Sequence, residues 1–194
     1  MCILIKELDN DFQQIDKVQE FLFAQIKKEF GYGYVPEFHR DIKNLNDFYI
    51  APKRNIFLIA IDERSDEIVA TIGLRAYDKN FEEFKEIYSP QSTASIWRLF
   101  VDEKFRRCGT ASLLFKLVED FAFKNNFNEI YLHTHKTLDG ALDFWNKMGF
   151  KITVDTNNEL QTVHMEKNIC SNMYGDELSN CLTRFDSSEY VILI

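Results

Sequence analysis

The 194-residue sequence holds only seven glycines, three prolines and four cysteines. So little proline and glycine excludes a collagen-like or low-complexity chain and leaves long uninterrupted elements as the expectation. Cys2, Cys108, Cys170 and Cys181 lack the paired short spacing of a zinc site and the density of a disulfide framework. They read as free thiols, with no metal expected. No stretch approaches the roughly 20 apolar residues of a membrane span, and the brief apolar start from Met1 to Ile5 is no secretory leader. The expected setting is cytoplasmic, with no membrane partner. Basic residues are also in deficit, 23 against 31 acidic ones, for a formal net charge of −8. That excludes a general electrostatic grip on nucleic acid and leans towards an amine-bearing partner.

What is present is a globular mixture with 18 phenylalanines, enough chain for one domain with an aromatic-rich core. Residues 2–7 read as a strand. Asp9, Asn10 and Asp11 offer caps for a helix in which Ile15, Val18, Leu22, Ile26 and Phe30 recur at helical spacing. Gly31 and Gly33 stop it, and an aromatic tract over 31–36 leads to a second helix over 37–49. Strands over 56–62 and 68–77 flank a polar turn, a charged excursion fills 78–92, and a further strand covers 94–101. A helix over 109–125 carries Leu113, Leu114, Leu117, Val118 and Phe121 as one apolar stripe. A strand over 130–135, a helix over 138–148 capped by Gly149, and a hairpin of 150–154 with 160–165 close the series. This order implies an α/β fold: a mixed sheet of about seven strands with helices on both faces, in a single domain over 1–166. Residues 167–194 form a C-terminal extension, polar up to Arg184 and ending in the apolar run Tyr190 to Ile194. That run could add a strand to a sheet edge or suit a homodimer edge; an unfolded tail is the simplest expectation.

The chemistry concentrates between Ser95 and Leu114, a strand, a short basic loop and a helix start. A helix start leaves backbone N–H groups unpaired at its positive end, and Arg106 and Arg107 precede it, so the stretch suits a phosphate or pyrophosphate. Neither a P-loop nor a three-glycine dinucleotide pattern occurs. Arg106-Arg107-Cys108-Gly109-Thr110-Ala111 instead resembles the Arg/Gln-x-x-Gly-x-Gly/Ala pattern of the GCN5-related N-acetyltransferases, the GNAT superfamily. Further on, Ala141-Leu142-Asp143-Phe144-Trp145-Asn146-Lys147-Met148-Gly149-Phe150 is similar to the family's second marker, an Ala-x-x-x-Tyr-x-x-x-Gly-Phe helix end. The resemblance covers 1–166, most specifically 95–150.

The resemblance implies an acetyl-CoA-dependent N-acetyltransferase in which an amine attacks the thioester directly. The backbone of Leu99, Phe100 and Val101 would pair with the pantetheine arm. The loop Arg106, Arg107, Cys108, Gly109, Thr110 and Ala111 would hold the pyrophosphate, and an amide near Phe100 or Val101 would meet the oxyanion. Trp145 stands where the family commonly carries the tyrosine that protonates the departing thiolate. An indole donates a hydrogen bond but is no acid near neutral pH, so Trp145 reads as a ring packed along the cofactor arm. Ser95 stands where many relatives carry a glutamate base. His133 on the next strand and Tyr77 at the end of the third are the first substitutes, with His135, Asp78 or a water shuttle also open. The implied acceptor is a primary amine of a small molecule or amino acid. The alternatives are a protein lysine or N-terminus, or a CoA-binding sensor or assembly module that has lost its chemistry, for which Ser95 and Trp145 argue.

Overall fold

The computed structural model describes residues 2–79, 81, 84, 86–169, 183–186 and 189–193. β1 (Cys2–Glu7) leads into α1 (Phe12–Phe30), where the Asp11 carboxylate accepts the Gln13 N–H and Lys27 and Lys28 sit at the negative pole. Gly31, at φ 75°, ends α1 by returning its N–H to the Lys27 carbonyl. α2 (Pro36–Lys43) and a π turn over Asn46–Ile50 replace the single helix expected over 37–49. The break falls at Asn44, which leaves the helical region at φ −129° and donates its side-chain amide to the Arg40 carbonyl at 2.7 Å; inside α2, His39 adds a kink at φ −125°, with its Nδ1 accepting the Val35 N–H at 2.9 Å.

The remaining elements are β2 (Ile56–Asp62), β3 (Glu67–Ala76), β4 (Thr93–Val101), α3 (Thr110–Lys124), β5 (Glu129–His135), α4 (Ala141–Lys147), β6 (Lys151–Asp155), β7 (Thr162–Asn168), β8 (Thr183–Asp186) and β9 (Glu189–Leu193). They build one sheet in the order β6-β7-β5-β4-β3-β2-β1-β9-β8. β4 and β5 run parallel, joined through α3, and every other neighbouring pair is antiparallel. The seven expected strands are thus present, and the extension adds two. The unfolded tail expected there is corrected over its described residues. β9 pairs with β1 from Lys6↔Glu189 to Cys2↔Leu193, and that ladder satisfies a backbone edge that β1 would otherwise leave open.

Side chains alternate across the sheet as the pleat dictates. Ile56, Leu58 and Ala60 face the layer of α3 and α4, whereas Phe57, Ile59 and Ile61 face α1 and α2. The charged excursion before β4 is pinned by a separate aromatic cluster in which Phe84 and Tyr88 pack on Tyr77 and Tyr131. Tyr88 also donates its hydroxyl to Glu166 at 2.7 Å.

Candidate active site

The site begins where the one parallel ladder fails. β4 and β5 pair only at Thr93↔Glu129, Ala94↔Ile130 and Ser95↔Tyr131; beyond Ser95 they part while both strands continue. The parting coincides with a bulge. Thr71 faces Phe100 and Gly73 faces Trp97, so Arg98 and Leu99 together oppose Ile72. Arg98 takes a left-handed φ of 51°, and its carbonyl accepts the Thr71 hydroxyl at 2.8 Å. Gly73 is required here by contact: a Cβ would stand 2.6 Å from Cε1 of Tyr49.

Arg98 ties this bulge to α2. Its Nε donates to Asp41 Oδ2 at 3.0 Å, and its Nη2 donates to Asp41 Oδ1 at 2.6 Å and to the Phe38 carbonyl at 2.5 Å. Tyr49 donates its hydroxyl to the same carboxylate at 2.6 Å. Burial alone would raise the Asp41 carboxyl, but the Arg98 fork and the Tyr49 hydroxyl outweigh it and hold the group below the ordinary carboxylate range.

Two cavities open from the parted strands. One, of about 530 Å³, lies against the start of α3 and is lined by Val101, Arg106, Arg107 and Ala111 and by residues of α4 and the turn before it. The other, of about 510 Å³, lies under α2 and is lined by Trp97, Arg98, Lys79, His133, His135 and the aromatic side chains of Tyr32 and Phe38. Both share Phe30, Leu99, Phe100, Thr134, Leu138 and Trp145 as walls, so they are two ends of one cleft that meet at the strand gap.

The first end is built for a phosphate. Gly109 is the N-cap of α3, with φ 86° and no side chain capping the helix, and Arg107 before it is also left-handed at φ 62°. The first amides of α3 therefore keep their donors for a ligand. Thr110 Oγ1 is buried without a hydrogen-bond partner among the described residues. An anionic group with acceptor oxygens would satisfy both, so the residues present fit the phosphates of acetyl-CoA. Arg106 is more engaged than the sequence suggests: its Nε donates to the Val101 carbonyl at 3.1 Å and its Nη2 pairs with Glu29. Cys108 directs its thiol back to the Arg106 carbonyl, and Cys108, Gly109 and Thr110 shape the turn without lining the cavity.

The second end carries the titratable groups. His133 is among its walls, and its Nδ1 lies 3.0 Å from Lys79 Nζ. Burial, then the Lys79 charge, push the His133 imidazole well below its usual pKa. Burial, then Arg75 and Arg98, bring the Lys79 ammonium down to about 7. His135 is also lowered by burial and sits edge-on to Phe30. Tyr77 is not brought to the cleft: it is buried in the aromatic cluster against Tyr88 and Tyr131. Ser95 is fully buried and accepts the Trp97 indole N–H at 3.0 Å, so that position serves packing. Trp145 lies edge-on to Phe115 and Phe150 and forms part of both cavities.

Sequence reasoning missed Lys79, Arg98 and Asp41. Lys79 and Asp41 lie in segments that read as an irregular excursion and an ordinary amphipathic helix. Arg98 was visible only as a polar residue inside a strand of otherwise apolar character, which is a weak mark of a bulge.

A mixed sheet that parts beside an uncapped helix start defines a class of α/β protein that receives an extended phosphate-bearing ligand between two of its strands. The chain belongs to the acetyltransferase (GNAT) family, whose model matches residues 19–150. It is similar to probable N-acetyltransferase 14 of Xenopus tropicalis, at 26% identity over 113 residues, 58% of this chain and 48% of that protein. N-acetylaspartate synthetase of Homo sapiens is 24% identical over 113 residues, 58% of this chain and 33% of that protein. The chain thus spans about a third to a half of the length of these curated relatives. Among solved structures, an acetyltransferase of the GNAT family from Staphylococcus aureus superposes with a TM-score of 0.68 at 21% identity, covering 86% of this chain and 99% of that one. An aminoglycoside 6'-N-acetyltransferase complexed with coenzyme A gives 0.60 at 17%, covering 86% and 97%. These two likenesses show the fold.

Proposed function

We propose that the protein is an acetyl-CoA-dependent N-acetyltransferase acting on a primary amine of a small molecule or amino acid. The observation that carries this reading is the single cleft with two ends: an uncapped helix start on one side, and a buried, histidine-bearing cavity on the other, meeting at the gap between β4 and β5. Acetyl-CoA supplies a thioester carbonyl open to attack. The amides at the start of α3 and the Arg107 guanidinium hold its phosphates, and the stretch Leu99 to Val101, which β5 no longer flanks, aligns the arm. The amine enters from the α2 side and must lose a proton before it attacks. His133 receives that proton. As the N–C bond forms and the C–S bond breaks, an amide N–H near Phe100 or Val101 steadies the oxyanion. The second proton of the attacking nitrogen leaves with the CoA thiolate.

The acceptor end narrows the choice of amine. Among the described residues Glu37, at the exposed mouth, is the one carboxylate in its lining, and Lys79 and Arg98 lie deeper. A polycation finds little to pair with there, whereas an amine with one positive charge, or an amino acid, meets no such conflict. The local field of the cleft, and not the net charge of the whole chain, is what an incoming amine meets. The relatives' names span N-acetylaspartate and aminoglycosides, so the panel must include both kinds. The test measures CoA release with amino acids, simple alkylamines, an aminoglycoside and lysine-bearing peptides, together with acetyl-CoA binding by calorimetry. Turnover on amino acids or small monoamines is expected. Binding without turnover on any amine would favour a sensor, and no binding at all would refute both.

A further inference from the structure

The reading of His133 as proton acceptor leaves a difficulty, because an imidazole held well below its usual pKa is a poor base at neutral pH. Its neighbour resolves it. Lys79 follows β3 and turns its amine into the acceptor end of the cleft, 3.7 Å from the Trp97 ring centroid and 3.0 Å from His133 Nδ1. No carboxylate pairs with it among the described residues. The nearby cations are spoken for: Arg75 pairs with Asp78, and Arg98 with Asp41. The other titratable groups facing this spot are His135 and Tyr131 on β5, His164 on β7, which lies within 2.6 Å of the Tyr131 hydroxyl, and Glu37 at the mouth. None of them approaches Lys79 Nζ within hydrogen-bond distance among the described residues. His133 Nε2 likewise has no partner there, so one ring nitrogen faces Lys79 and the other is left for a ligand.

We propose that Lys79 and His133 form a proton relay in which His133 Nε2 takes the proton of the incoming ammonium while its Nδ1–H passes to Lys79 Nζ. This rests on the acetyltransferase reading of the cleft. The proton balance closes without any further reagent. Before the amine arrives, Lys79 is a neutral amine and accepts the Nδ1–H of His133. Afterwards Lys79 is an ammonium, His133 is neutral again in its other tautomer, and the acceptor is a free amine ready to attack. Between turnovers Lys79 hands its proton back to His133 Nδ1 while the Nε2 proton leaves through the cleft to solvent, which restores both groups. Burial, then the two neighbouring guanidinium groups, bring Lys79 to about 7, so a neutral fraction is available at neutral pH, and the pair has a proton affinity that His133 alone lacks.

The decisive variant is Lys79→Met, which keeps the length and apolar stem of the side chain and removes the amine. Two readouts are needed, and neither is moved by a merely structural role. The first is the pH dependence of kcat/KM with the best amine from the panel. In the native protein the acid limb is expected near pH 7. In Lys79→Met it falls to the lower pKa of His133, and the plateau drops about three- to tenfold for the weaker base. The second is the ¹⁵N chemical shift of the His133 imidazole against pH with acetyl-CoA bound, which needs no acceptor. A change of the favoured tautomer near pH 7 in the native protein, absent in Lys79→Met, is expected. Lys79→Arg, permanently protonated, should lack the plateau at every pH while binding acetyl-CoA as the native protein does. An acid limb and imidazole titration unchanged by Lys79→Met would overturn the relay. So would a raised KM for carboxylate-bearing amines with kcat and pH profile intact, which would make Lys79 an anion holder. Loss of acetyl-CoA binding in the native protein would instead strike the acetyltransferase reading itself.

Discussion

Replacing Asp41 by Asn tests whether the bulge in β4 is held from α2. The carboxylate accepts three hydrogen bonds, two from Arg98 at 3.0 and 2.6 Å and one from Tyr49 at 2.6 Å, and both Asp41 and Arg98 are largely buried. The amide can accept on one oxygen only, and its NH₂ group then points at a donor. Arg98 keeps its charge without a counterion. Breaking a buried pair from one side costs about 3–5 kcal/mol, which for a chain of this length is a fall in Tm of roughly 6–20 °C. The pH dependence has a definite sign. Asp41 has a depressed pKa in the fold, so its contribution is full above the unfolded-state pKa and is lost as pH falls through the folded one. Urea unfolding of native protein and Asp41→Asn should therefore differ most at neutral pH and converge in acid. Because Arg98 also holds the Phe38 carbonyl, KM for the amine should rise while acetyl-CoA affinity stays near native. A loss below about 1 kcal/mol at pH 7, against the 3–5 expected of a buried pair, would refute the claim that this ion pair fixes the bulge.

Gly109→Val places a β-branched residue at φ 86°; a Cβ there meets open space, so the cost is backbone strain of about 1–2 kcal/mol and not a clash. If the turn relaxes away from that φ, acetyl-CoA affinity by calorimetry should fall about tenfold or more, the worth of one charge-assisted amide bond. Gly73→Ala should cost about 1–3 kcal/mol in urea unfolding, since its Cβ would overlap the Tyr49 ring. Trp145→Phe should leave the basic limb of the pH–rate profile in place, because an indole is not the acid; a shift of that limb would return a chemical role to the residue.

The sequence carried the frame of the site better than its chemistry. The start of α3 was legible because a glycine and small residues after two arginines have one economical reading at a helix start, and Leu113 to Phe121 fixed the period of the helix behind it. Trp145 was legible by position relative to Gly149 and Phe150. His133 was legible as a histidine on a strand, and the structure adds what faces it. Lys79 was not, because it sits outside any periodic element and acquires meaning only when the excursion folds over β5. Arg98 was hidden for a different reason: arginine has no preference for a left-handed φ, so nothing local marks the bulge that its ion pair and the Thr71 hydroxyl hold in place. The two cavities share walls from α1, β4, β5 and α4, and no window along the chain contains all four.

The nine strands form one sheet by connectivity, but in mechanical terms they are two plates. β6, β7 and β5 make one, the six strands from β4 to β8 make the other, and three residue pairs at one end form the seam. Few backbone hydrogen bonds cross that seam, and the core under α3 and α4 is what otherwise joins the plates. A ligand laid along the gap acts as a latch between plates that the protein's own backbone leaves unlatched. Amide exchange in the free half of β5 should slow when the gap is filled.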